Sequence, residues 1–152
     1  MSLRKIYATD AGKETAGVTL QVGMNDYNGK PIEITVSRMS HNNQLYQKAF
    51  TEKFDPHQAA IQGDTLDEQL ARKLVRELFA DEVLKDVKNV PLSDLTEDDA
   101  DNDKVMDYNR DNVLALFEKY PDVYDDWSGR AKKASNFRKA ANNKAAGNSP
   151  KS

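Results

Sequence analysis

Residues 17–38 alternate apolar and polar side chains in two consecutive runs. In GVTLQVGM (17–24), Val18, Leu20, Val22 and Met24 fall on one face, with Thr19 and Gln21 on the other. In PIEITVSR (31–38), Ile32, Ile34 and Val36 oppose Glu33, Thr35 and Ser37. A period of two describes a strand with one dry and one wet face. NDYNGK stands between the runs, and its Asn28-Gly29 step supplies the positive φ angles of a tight hairpin. Two strands alone do not hold together in water, so the dry face must rest on other elements.

The rest of the chain switches to helical spacing. HNNQLYQKAFTEKFDP (41–56) sets Tyr46, Phe50 and Phe54 four apart, with Leu45 and Ala49 alongside. This predicts an amphipathic helix that starts near Asn42 or Asn43 and stops at Pro56. Residues 63–87 read as one long helix: Thr65 and Glu68 form a capping box, and Leu66, Leu70, Leu74 and Leu78 recur every four residues. Val75, Phe79, Val83 and Val87 widen its apolar face, and Pro91 ends it. NRDNVLALFEKY (109–120) opens on the cap-type Asn109 and offers Val113, Leu114, Leu116 and Phe117 for burial. Pro121 closes that helix and seeds another, along which Val123, Tyr124, Trp127, Ala131, Ala134, Phe137 and Ala141 keep helical spacing.

These readings give one predominantly helical α+β domain over residues 17–141, an N-terminal antiparallel hairpin packed on about four helices. A flexible segment (1–16) precedes it, a mobile acidic loop (93–107) interrupts it, and a disordered polar tail (142–152) follows. The 152 residues suffice for one core and not for two comfortable ones. No cysteine is present, which removes disulfides and thiolate chemistry. The opening lacks the apolar stretch of a signal peptide, and the longest apolar run is VLALF at 113–117. A soluble intracellular protein without membrane contact is the expectation.

A net charge of −3 hides a strong division. Residues 93–127 carry 3 basic and 12 acidic side chains, whereas residues 128–152 carry 7 basic and no acidic ones. Such a dipole along the chain orients encounters and can bias self-association. The acidic run begins like a calcium loop, with Asp99, Asp101 and Asp103 alternating. That loop needs glycine sixth and glutamate twelfth, and those places hold Lys104 and Arg110. His41 and His57 have no motif partner, and no phosphate-cradling glycine loop or G-x-S-x-G is present. The carboxylates have no apolar neighbours in sequence to raise a pKa for acid catalysis. No catalytic, cofactor-binding or metal-ligating residue is therefore expected, and no enzyme. The basic end could grip nucleic acid, but the acidic run directly before it would repel a polyanion.

The last segments carry the remaining information. The single tryptophan, Trp127, stands between Asp122, Asp125 and Asp126 on one side and Arg130, Lys132 and Lys133 on the other. Acids near a helix N-terminus and bases towards its C-terminus complement the macrodipole. VSRMSHNNQLYQKAF, TLDEQLARKLVRELFADEVLKDVKNV and YNRDNVLALFEKYPDVYDDWSGRAKKASNFRK follow the hairpin in order. Taken together the chain resembles the tail assembly chaperones of long-tailed bacteriophages, through Asn43 and Tyr46, the phrase from Thr65 to Leu70, the proline with its acidic-aromatic sequel, and Asn136-Phe137-Arg138. The stretch 93–107 departs from the pattern, being longer than expected.

The resemblance implies a non-catalytic role: binding the aggregation-prone tape measure protein in the host cytoplasm, with no place in the finished virion. It also implies that a longer, frameshifted form exists in many relatives. On this reading Tyr124, Trp127, Arg130, Phe137 and Arg138 are the partner-binding residues. The bland alternative has Val123, Trp127 and Phe137 pin the last helix to the core. The other functional reading is a small structural or adaptor protein retained in a phage particle or bacterial complex.

Overall fold

The computed structural model describes residues 2–138; the expected disordered tail (142–152) and the expected helix end at Ala141 lie outside the described residues. The fold is α+β, with a three-stranded antiparallel sheet in the order β1-β2-β3 packed against helices. Helices α1 (Leu3–Tyr7) and α2 (Ala11–Ala16) precede strands β1 (Val18–Asn25) and β2 (Lys30–Val36). The segment expected to be flexible (1–16) is thus folded over most of its length. Asp10 caps α2 by accepting the Gly12 and Lys13 amides, Glu14 ion-pairs with Arg38, and the Asp10 amide donates to the Phe137 carbonyl at 2.9 Å. Short polar sequences gave no periodicity by which to see this order, which comes from contacts with distant residues.

The hairpin forms at the expected place. Val18 faces Val36 and Leu20 faces Ile34, and Gly29 at φ +72° completes the turn, where the Asn25 carboxamide accepts from Tyr27 and Asn28. A bulge between Gln21 and Gly23 then moves the phase by one residue. Beyond it Met24 turns outward, 48% exposed, and Asn25 turns in, 1% exposed, so Met24 is not on the dry face. Asn25 is satisfied there by donating to the Asn89 carbonyl at 2.9 Å.

Helix α3 (Gln44–Phe54) starts from Asn43, whose side chain accepts the Leu45 amide. Pro56 does not stop the chain's helical course outright: a 3₁₀ turn (Asp55–His57) leads into α4 (Gln58–Gln62). The expected single helix over 63–87 resolves into three pieces. Helix α5 spans Glu68–Leu78, a π turn spans Phe79–Val83, and strand β3 spans Leu84–Lys88 beside β2. Asp67, not Thr65, caps α5 by accepting the Leu70 amide at 3.1 Å. In the π turn the Leu84 amide reaches back to the Phe79 carbonyl, which ends the helix.

The acidic stretch is also ordered. It contains α6 (Ser93–Thr96) and a 3₁₀ turn (Asp99–Asp101). Its two ends are zipped together by Leu92 N–H to Lys104 O and Met106 N–H to Val90 O, each 2.8 Å. Met106 is buried at its base. Helix α7 (Arg110–Lys119) is capped by Asn109 and buries Val113, Leu116 and Phe117, while Leu114 stays half-buried. Helix α8 (Pro121–Lys132) follows without a loop, and a 3₁₀ turn (Ala134–Phe137) replaces the expected helical continuation. The core joins Ile34 and Val36 of the sheet to Phe79, Val83, Val113, Phe117 and Phe137. Among the described residues no helix is long and apolar enough to cross a membrane.

Candidate protein-docking site

Tyr120 is both the last cap of α7 and the first of α8, at φ −129° and ψ 82°, and Pro121 has no N–H to lose at that corner. The Tyr120 hydroxyl donates to the Asp94 carbonyl at 2.8 Å, tying the corner to α6. Beneath it the sheet contributes Val22 and Ile32, and the segment after β3 contributes Val90. Leu116, Val123 and Trp127 complete the floor of an open groove of about 430 Å³. Asp94, Asp122 and Asp126 stand along it. Val22, at the β1 bulge, packs with Val18 and Leu20 against the core.

Trp127 is 5% exposed and packs edge-on against Phe117, with ring centroids 5.8 Å apart. Its remaining edge is part of the groove floor. Asp126 is held by Arg130 at 3.1 Å one turn later. Asp94 and Asp122 have no hydrogen-bond or ion-pair partner for their carboxylates among the described residues. Burial raises the Asp94 carboxyl above its ordinary value.

The five residues expected to bind a partner do not form one surface. Trp127 lines the acidic groove, whereas Tyr124 faces the other way, into a cleft with Arg72, Arg76, Pro121 and Asp125. Tyr124 stacks edge-on against Phe79 and Phe117, and burial raises its hydroxyl pKa. Arg130 is occupied with Asp126. Phe137 is fully buried in the core, and Arg138 lays its guanidinium over the Tyr7 ring at 4.8 Å while its backbone bridges Thr9. Val90, Asp94 and Tyr120 were not anticipated at a site. Tyr120 beside Pro121 was the one visible signal, since a helix-helix corner needs a wedge.

Among the described residues no group of three or more His, Cys, Asp or Glu side chains is placed to hold a metal ion. His41 lies against the Tyr46 and Phe50 rings and His57 sits in the 3₁₀ turn after α3, so the two histidines belong to helix ends.

Residues 41–148 match the model of the family described as YdaY prophage protein, which is more than half of the chain. The chain belongs to the YdaY prophage protein family. No curated protein and no solved structure matches it. The match to the YdaY family establishes a phage-derived protein and begins at His41, after the hairpin. It therefore takes in Val90, Asp94, Leu116, Tyr120 and α8, and leaves Val22 and Ile32 outside.

Proposed function

We propose that this YdaY-family protein is a non-catalytic phage tail assembly chaperone that shelters a helical segment of the tape measure protein. The observation that carries the reading is the open apolar groove between the sheet and the α7–α8 corner, with an indole in its floor and carboxylates along its edge. A helix laid into such a groove covers its apolar stripe without being enclosed, which suits a client that must later be released. The phage origin and the order of segments described above support the same reading. The protein then works in the host bacterial cytoplasm and is absent from the mature virion.

Co-expression with the tape measure protein of the same phage tests this. The tape measure protein should move from the pellet to the soluble fraction in the presence of this chain. Equal insolubility with and without it would end the proposal. Mass spectrometry of purified virions separates the chaperone from a retained structural or adaptor protein, since the latter would appear in fixed copy number.

A further inference from the structure

We infer that the groove takes an amphipathic helix that carries a lysine or arginine beside its apolar anchor, the cation seating between Asp94 and Asp122. This inference rests on the docking role proposed above and specifies the chemistry of the occupant. Its basis is an asymmetry along the groove. At the end nearer Arg130, Asp126 already has its cation at 3.1 Å. At the Tyr120 corner, Asp94 and Asp122 have none among the described residues, although both line an apolar wall formed by Val90 and Val123.

Asp94 is the informative member. It lies in the first turn of α6, half-buried, and its backbone carbonyl is taken by the Tyr120 hydroxyl. Its carboxylate is partly stripped of water, with no protein cation in compensation, and its raised pKa reflects that burial. A partner's ammonium or guanidinium would restore what the desolvated charge has lost, and its aliphatic stem would lie along the apolar wall. An acidic partner would bring a third carboxylate to the same place. Charge thus selects the occupant, while the floor at Trp127 supplies the contact area.

The experiment uses the full chain and two labelled helical peptides of about 18 residues. Both carry leucine and phenylalanine on one face; one bears lysines flanking that face and the other glutamates. Fluorescence anisotropy gives the affinity, and the Trp127 indole resonance reports the place of binding. The lysine peptide should bind, lose affinity as salt rises, and shift the indole; the glutamate peptide should not bind. Asp94→Asn with Asp122→Asn should weaken the lysine peptide on the order of tenfold while circular dichroism shows an unchanged fold. Binding of neither peptide, equal binding of both, or an undiminished affinity in the double variant would overturn the inference. The chaperone reading fails separately. If the double variant still keeps the tape measure protein soluble, the charge rule is wrong and the chaperone stands; if the unaltered chain does not, the chaperone role falls whatever the peptides do.

Discussion

The Asn43 carboxamide accepts the Leu45 amide and donates at 3.0 Å to the carbonyls of both Glu14 and Arg38, so one side chain caps α3 and holds the N-terminal segment to the sheet. It is 3% exposed. Asn43→Ala removes the cap and the side-chain donor to both carbonyls, of which that of Glu14 keeps the Arg38 amide at 2.8 Å, and should cost about 1–2 kcal/mol in urea unfolding. Asn43→Asp keeps the cap but turns a carboxylate towards both carbonyls, and should be at least as damaging. Asp94 behaves oppositely. Burial raises its folded pKa above the unfolded value, so the native state holds its proton to higher pH. Stability from this residue is therefore greatest below the unfolded pKa and falls as pH rises through the folded one. Asp94→Asn removes that cost, and its Tm advantage over the unaltered protein should grow as pH rises from below the ordinary carboxylate range through the raised folded pKa, and then level off. An advantage that shrinks over the same range would contradict the burial of this charge. Cap residues such as Asn43 and Asn109 were legible in the sequence, because cap chemistry is local. The environment of Asp94 was not, since Val90, Tyr120 and Val123 reach it only through the fold.

Strand β3 shows how an element can hide. Leu84 and Val87 are three apart, which reads as one more helical turn after Leu78 and Phe79. The pairing with β2 jumps between Thr35 and Val36, so Leu84 faces Val36 while Val87 faces Ile34. A bulge thus places residues three apart on the same sheet face, and the two periods become indistinguishable. The β1 bulge causes the matching error at Met24. The acidic stretch hid for another reason: its order comes from its zipped ends and the buried Met106, neither of which leaves a periodic trace. Its charges should matter little to folding. Asp99→Asn with Asp103→Asn, both exposed and without ion pairs among the described residues, should leave Tm nearly unchanged. Met106→Ala should cost about 2–4 kcal/mol, read by urea unfolding. If the two results were reversed, charge rather than the buried methionine would hold this excursion.

At the scale of the molecule, the chain's two described ends are brought together. Thr9 bridges Arg138, the Asp10 amide reaches Phe137, and the Arg138 guanidinium covers Tyr7. This closure seats Phe137 in the core and leaves the groove at the α7–α8 corner as the surface on which the proposed function depends. The division between hairpin and helices was legible from the change of period; the groove was not, because its walls come from β1, β2, α6, α7 and α8 together. The most direct measurement is a titration of isotope-labelled protein with a helical segment of the tape measure protein, followed by NMR. The account requires the Trp127 indole and the Val90 and Val123 methyl resonances to shift together and saturate at one affinity. Unmoved resonances there, or shifts confined to the Arg72, Arg76 and Tyr124 cleft, would contradict it.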